Sequence, residues 1–404
     1  MGVKVTSRAA NIEYAIRDVI VHTKQLIKDG KKIYYLNIGD PAAFDFKTPQ
    51  NVKDALCAAI QKDDNYYSAS EGRLDLREAI VRKEKKVNNV NVTPDDVLVT
   101  EGISEGIQMI LGALVEKGDE ILFPGPTYPP YISYTRFFDG KPVSYETIED
   151  ESWHPNIDDL RSKITSKTRA IVIINPNNPT GSVYDRKTIK TILDIAGEHN
   201  LPVLSDEIYD QLTYEKEFVS AAHLSKDVPV VGLNGFSKVY SMTGLRLGYM
   251  YFKGEGKQLE TLKAGVEKEC RIRICANTPV QIAATAALNG PQDCIKDIVD
   301  RLRQRRDFSW KRLNEIECIS TTKPEGAFYI FPKIRDIGTL WKTDMDFVVQ
   351  LLKETGVLIV NGSGFDPVYG KGHARIVFLP PIDELDAAYN ALDVFMKKNK
   401  NKKP

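Results

Sequence analysis

No run of apolar residues in this chain approaches the ~20 that a membrane helix needs, and the N-terminus carries no apolar signal core. Cysteine is scarce. The five residues Cys57, Cys270, Cys275, Cys294 and Cys318 contain no Cys-x-x-Cys pair. An odd count at irregular spacing argues against a disulfide framework and a zinc site, and suits a reducing compartment. The five histidines are dispersed, which leaves no cluster to hold a metal. Net charge is missing too: Lys+Arg and Asp+Glu balance at 55 each, so no basic field exists to recruit nucleic acid. The one strongly basic stretch, Lys397 to Lys403, reads as a frayed, solvated end. A soluble, cytoplasmic, metal-free protein is expected, with no nucleic-acid or membrane partner.

What is present is an ordinary globular composition, 42% hydrophobic and 27% charged, on 404 residues. That length is too great for one compact core and suggests two domains, or one large domain with a smaller appendage. From residue 97 to 252 short apolar runs alternate with amphipathic helical segments. Val97–Val99, Glu120–Phe123, Ala170–Ile174, Pro202–Leu204, Val230–Leu233 and Leu247–Phe252 read as buried strands. Ile107, Ile110, Leu111 and Leu114 repeat at helical spacing, as do Ile189, Ile192, Leu193 and Ala196. The alternation implies an α/β architecture with a mostly parallel, doubly covered sheet, whose ligand lies beyond the carboxyl ends of the strands. From about residue 300 a charged helix (Arg301 to Leu313), three further apolar runs and a last helix (Asp383 to Phe395) suggest a smaller α+β domain. The segment near Leu36–Pro41 is expected to join it. The divisions are taken as 1–45 (arm and part of the small domain), 46–300 (large domain) and 301–404 (small domain).

Five segments carry chemistry. Asn234 to Gly248 contains Ser237-Lys238 and, eight residues past the lysine, Arg246; upstream lies Asp206-Glu207-Ile208-Tyr209. A lysine in a small-residue turn after an apolar run can present its amine to an aldehyde. An acid ending another such run can hold a protonated pyridine nitrogen, and an arginine can fork onto a phosphate. These are the three demands of pyridoxal phosphate. Taken singly, a surface lysine and a capping aspartate are the better explanations; in this order, with the motifs that follow, they are not. Asn175-Pro176-Asn177-Asn178-Pro179-Thr180-Gly181 is a stiff loop with amide donors after a strand. Thr100 to Gly106 joins a strand to a helix: Gly102 permits close backbone approach, and the free amides beyond it suit a phosphate, although a Ser104 N-cap explains it equally. Pro124 to Tyr131 is a proline-rich loop whose aromatic could stack on a planar ring or form a packed turn.

Together these residues resemble the class I/II aminotransferases, the fold-type I pyridoxal-phosphate enzymes, over nearly the whole chain. The resemblance implies a large cofactor-binding domain with a seven-stranded sheet between helices, plus a smaller α+β domain. It implies Lys238 as the Schiff-base lysine and proton shuttle, and Asp206 as partner of the pyridinium. Tyr209 and Asn178 are implied at the ring hydroxyl oxygen, and Tyr128 stacked on the ring. Arg246, Ile103, Ser104 and Ser237 are implied at the phosphate, with Tyr67 reaching the phosphate of a partner subunit's site. Arg375, Gly39, Asn178 and Tyr14 are implied at the substrate. A homodimer with shared active sites follows from the same pattern, as do cis peptides at Gly125-Pro126 and Asn178-Pro179.

The chain departs from the pattern at Gly235, where many relatives carry a serine, so one phosphate hydrogen bond is missing or supplied elsewhere. An arginine for a substrate's distal carboxylate, expected in one aspartate-specific branch, falls at Ile272, flanked by Arg271 and Arg273. By period-2 alternation those arginines are expected to point away from where Ile272 points, which weakens an aspartate reading. Glu13-Tyr14-Ala15-Ile16-Arg17, Leu36-Asn37-Ile38-Gly39-Asp40, Gly362-Ser363-Gly364-Phe365 and Phe378-Leu379-Pro380-Pro381 are similar to alanine aminotransferases. The resemblance thus implies ping-pong transfer from an L-amino acid, alanine foremost, to 2-oxoglutarate through pyridoxamine phosphate. A receiver for the glutamate γ-carboxylate is not identified; Arg271, Arg273 and Tyr14 are candidates. Aspartate, aromatic or broad-range transamination and a carbon–sulfur lyase remain alternatives on the same scaffold. A non-catalytic regulator module is disfavoured by the lack of a DNA-binding extension, and a dinucleotide oxidoreductase by the lack of Gly-x-Gly-x-x-Gly after the first strand.

Overall fold

The computed structural model describes residues 2–10, 12, 16 and 19–400. Its main sheet has eight strands: β1 (Val97–Thr100), β2 (Glu120–Gly125), β3 (Lys141–Ile148), β4 (His154–Pro155), β5 (Thr168–Ile174), β6 (Val203–Asp206), β7 (Val230–Gly235) and β8 (Gly248–Lys253). Their order is β1-β8-β7-β6-β5-β2-β3-β4. β7, β6, β5, β2 and β3 pair in parallel, β8 runs antiparallel to both β1 and β7, and β4 is antiparallel to β3. Seven strands were expected, and the eighth is the two-residue β4 at the edge.

Apolar residues run without interruption through the central strands because both faces are covered. Along β5, Ile171 and Ile173 enter the core on one face, while Ala170, Val172 and Ile174 enter the core on the other. Strand side chains alternate in this way, so a continuous apolar run feeds two cores at once. The helices Leu74–Asn88, Arg186–Glu198 and Thr278–Asn289 cover the first face. Ile103–Leu114, Pro129–Phe137 and Glu260–Arg273 cover the second. β3 lies near the edge and is only partly buried, which is why it shows no apolar run.

Beyond this sheet, Tyr329–Ile330, Ala374–Val377 and Val360–Asn361 form a three-stranded antiparallel sheet. The run Gly356–Val360, read as one strand, is divided: Val357–Leu358 instead pairs in parallel with Tyr34–Tyr35, tying the N-terminal segment to this region. The helix expected over Arg301–Leu313 spans Asp293–Glu315. The last helix, Ile382–Lys400, takes in much of the lysine stretch that was expected to fray. Lys397 and Lys398 extend it with ion pairs to Asp393 and Glu354. Among the described residues no helix is long and apolar enough to cross a membrane, and no group of His, Cys, Asp and Glu could hold a metal.

Candidate active site

A cavity of about 470 Å³ opens at the carboxyl ends of β2, β5, β6 and β7. Eleven residues singled out from the sequence line it: Gly39, Ile103, Ser104, Tyr128, Asn178, Asp206, Tyr209, Ser237, Lys238, Arg246 and Arg375. Tyr67 does not. It lies on a separate surface hollow with Tyr66 and Arg73, and is 78% exposed. Tyr14 lies outside the described residues.

Lys238 follows the turn after β7, and its Nζ donates to the Gly39 carbonyl at 2.7 Å. Burial holds its amine down at about 8. Asp40 and Asp206 pull it up, while Arg375 and Arg246 push it down. An amine of that kind is neutral, hence nucleophilic, in mildly alkaline solution. Asp206 ends β6 and is 1% exposed. Burial drives its carboxyl up to about 7, against the Ile208 N–H donated to Oδ1 at 3.3 Å and the Tyr131 O–H donated to Oδ2 at 3.1 Å. The anion of such a carboxyl is strongly stabilised by a cationic N–H set against it, which a protonated pyridine nitrogen offers. Tyr131 was not singled out. It stands one helical turn beyond Tyr128, so the i, i+3 spacing was the available signal.

At the other end of the cavity, Gly102 sits at φ +75°, and a Cβ there would lie 2.5 Å from Nη2 of Arg246. Arg246 itself is left-handed at φ +54° and donates to the Thr243 carbonyl at 2.9 Å. The helix Ile103–Leu114 begins at Gly102 without a side-chain cap, so Ser104 is not the cap that had been an alternative. Ile103 and Ser104 of its first turn line the cavity together with Arg246, and a helix start beside a guanidinium suits a phosphate dianion. Gly235 is explained by the strand next to it. A Cβ at that position would stand 3.0 Å from Gly248 Cα and 3.1 Å from the Leu247 carbonyl, so a serine would require β7 and β8 to give by a few tenths of an ångström.

Arg375 enters from the three-stranded sheet, fully buried. It donates to Asn178 Oδ1 at 3.1 Å and to the Asn37 carbonyl. Its guanidinium lies 4.7 Å from the Tyr329 ring centroid and 4.8 Å from that of Phe365. The fork of such an arginine matches a carboxylate. With Oδ1 of Asn178 turned to Arg375, its Nδ2 hydrogens remain as donors. The loop bearing Asn178 corrects one expectation. The cis bonds are Gly125-Pro126 and Asn175-Pro176, and Asn178-Pro179 is trans. Asn177 closes the turn instead, its Oδ1 accepting from Thr180 N at 3.2 Å and Oγ1 at 3.0 Å, and Gly181 turns the chain at φ +73°. Asn178 is buried all the same.

A second correction concerns Arg271, Ile272 and Arg273. They end the helix Glu260–Arg273, where successive residues turn by about 100° rather than alternate. Ile272 is 84% exposed. Arg273 is committed to Glu105 at 2.8 Å and to the Ser70 and Val99 carbonyls. None of the three lines the cavity of its own chain.

The cavity fits pyridoxal phosphate. A depressed lysine amine, a buried carboxyl in want of a cation, and a glycine cradle under an arginine meet the aldehyde, ring nitrogen and phosphate of one molecule. The model of the family "aminotransferase class I and II" matches residues 31–392. The glutamate-pyruvate aminotransferase AlaA of Escherichia coli (strain K12) is 36% identical over 398 residues, covering 98% of each chain. The alanine aminotransferase of Mycobacterium tuberculosis (strain ATCC 25618 / H37Rv) is 36% identical, over 97% of this chain and 92% of its own. An alanine aminotransferase structure from Pyrococcus furiosus is 54% identical and superposes with a TM-score of 0.95, covering 98% of this chain and 100% of the other. With that match over 31–392, the chain belongs to the class I and II aminotransferases, enzymes that move amino groups with pyridoxal phosphate.

Proposed function

We propose that the enzyme transfers the amino group of L-alanine to 2-oxoglutarate, as the names of its relatives suggest for them. One observation supports the choice of alanine. The described lining of the cavity holds three cationic side chains, Lys238, Arg246 and Arg375, and each has a task in the common chemistry. Ile16 and Ile38 offer an apolar wall that suits a methyl group, and the second carboxylate of 2-oxoglutarate, which enters the same site in the other half-reaction, has to be received by a group outside this lining.

In this reading Arg375, with the backbone of Gly39, grips the substrate carboxylate and so aims its Cα at Lys238. Arg246, the Ile103 amide and the Ser104 and Ser237 hydroxyls hold the phosphate, and Tyr128 covers the ring. Pyridoxal phosphate, when bound, supplies the electron-withdrawing ring that makes the α-hydrogen of the amino acid labile. Asp206, oriented by Tyr131, keeps the proton on the ring nitrogen. The Tyr209 hydroxyl and Asn178 Nδ2 donate to the ring oxygen, and Lys238 Nζ carries the proton away from and back to substrate carbon. The unit 46–300 supplies the cofactor residues, while 1–45 and 301–404 bring Gly39 and Arg375 over it. A homodimer in which Tyr67 completes the partner's phosphate site, and a cytoplasmic setting that keeps all five cysteines as free thiols, belong to the same proposal. Tyr14 is proposed at the substrate beside Gly39.

The test is a panel of amino donors with 2-oxoglutarate, followed by oxo-acid formation. Alanine should exceed aspartate and phenylalanine in kcat/KM by about tenfold or more, the discrimination of an apolar wall that suits a methyl group. Equal or greater kcat/KM for aspartate would overturn the alanine reading.

A further inference from the structure

Tyr329 was not distinguished from the apolar strand it sits in, yet three parts of the site meet on it. Its hydroxyl shares a hydrogen bond of 2.7 Å with the Tyr209 hydroxyl. Its ring lies under the Arg375 guanidinium at 4.7 Å and edge-on to Tyr209, with centroids 5.7 Å apart. A Cβ on Gly39 would overlap that same hydroxyl, and the Gly39 carbonyl accepts from Lys238 Nζ. Tyr329 pairs with Val377 in the three-stranded sheet that also carries Arg375, so it has little room to move. It is 2% exposed.

We infer that Tyr329 is a positioning residue: its O–H donates to Tyr209 Oη and thereby turns the Tyr209 proton toward the cofactor's ring oxygen, while its ring supports the Arg375 fork. The inference rests on the reading above that Tyr209 faces that oxygen. A single hydroxyl has one proton to donate. If Tyr209 spent its proton on Tyr329, the ring oxygen would face a lone pair. Tyr329 as donor removes that arrangement and polarises the Tyr209 O–H, because a hydroxyl that accepts one bond donates more strongly. Burial raises Tyr209 well above the ordinary phenol range, so it keeps its proton throughout the working pH range.

The consequence for the cofactor has a definite sign. Were the cofactor held on Lys238, the deprotonated form of that linkage would leave the ring oxygen's negative charge without an adjacent N–H. A donor to that oxygen stabilises this deprotonated form most, and so lowers the pH at which the visible absorbance changes. Removing the donor raises it. The loaded Tyr329→Phe enzyme should therefore change colour about half a pH unit higher than the parent, in the same direction as Tyr209→Phe, which should move by about one unit or more. The ring is retained, so KM for alanine should stay within about twofold while kcat falls about fivefold, the size of one neutral hydrogen bond. Tyr329→Leu removes the ring as well and should raise KM about tenfold through the loss of support under Arg375. An unmoved absorbance transition in Tyr329→Phe beside a shifted one in Tyr209→Phe would overturn the inference and leave the Tyr209 reading standing. If neither transition moves, both fall.

Discussion

Replacing Asp206 with Asn should stabilise the protein stripped of its cofactor and cripple the loaded enzyme. In the stripped protein burial drives this carboxyl up to about 7 from the ordinary 3.8. The folded state then holds a proton that the unfolded state has already released. Below about pH 4 both states are protonated and the group costs nothing extra. As pH rises toward 7 the folded state loses ground, because it must either keep the proton or bury a charge. The distance from 3.8 to about 7 is worth about 4 kcal/mol when complete. An asparagine does not titrate. It forgoes about 1 kcal/mol of hydrogen bonding with the Tyr131 hydroxyl and the Ile208 amide, leaving a net gain of about 3 kcal/mol at pH 8 and none near pH 4.

With the cofactor bound the sign reverses, since the carboxylate now faces a pyridinium that a neutral amide cannot stabilise. Turnover should fall by about 10²–10³-fold, the scale of one preorganised charge interaction. Urea unfolding of stripped parent and variant at pH 5, 6.5 and 8 measures the first effect, and the same series with excess cofactor the second. A stability difference that ignores pH in the stripped protein would refute the account of burial. Near-parent turnover in the loaded variant would refute the role of Asp206.

The lysine should behave in the complementary way: borohydride should fix the cofactor to the parent and leave no reducible adduct on Lys238→Ala. Capture of the cofactor by the stripped parent should quicken as pH rises and level off above about 8, where the amine is neutral; a flat profile would contradict its depressed basicity. Gly102→Ala forces a side chain at φ +75° against Arg246 and should weaken cofactor binding at least about tenfold in an equilibrium titration. Lys83 donates to Glu84 at 2.9 Å and also to Asp210, so Lys83→Met would leave both acids buried without their cation and cost about 3–5 kcal/mol in denaturant unfolding. Mixing Lys238→Ala with Tyr67→Ala subunits should restore about a quarter of the parent's sites, because each mixed dimer then holds one intact site; no recovery would mean that Tyr67 serves its own subunit.

The main sheet was legible where burial on both faces wrote itself as unbroken apolar runs, as in β5. It was illegible at β3, where the edge position admits Lys141, Ser144 and Glu146 and dissolves the run. The segment at Arg271–Arg273 was assigned the period of a strand when its neighbours upstream, Val266 and Cys270, already stood four apart as on a buried helical face. Three residues are too few to separate the two periods, so the longer window decides.

The site divides along a different line. Residues that touch the cofactor in the proposed reading sit in short motifs at strand ends, because close approach to a phosphate or a flat ring demands particular small, stiff or charged residues in sequence. Gly102, Asn178, Asp206 and Lys238 were visible for that reason. Residues that act on those residues obey no such constraint. Tyr131 meets Asp206 across 75 positions and Tyr329 meets Tyr209 across 120, each as an aromatic in an apolar context where packing alone would account for it. Their hydroxyls are what packing does not require. A buried tyrosine as a rule finds a partner for its O–H, although Tyr184 does not, and in this chain two such partners are the acid proposed for the ring nitrogen and the phenol proposed for the ring oxygen. A tyrosine within a buried run is therefore a signal that something polar lies opposite, even when the sequence cannot name it.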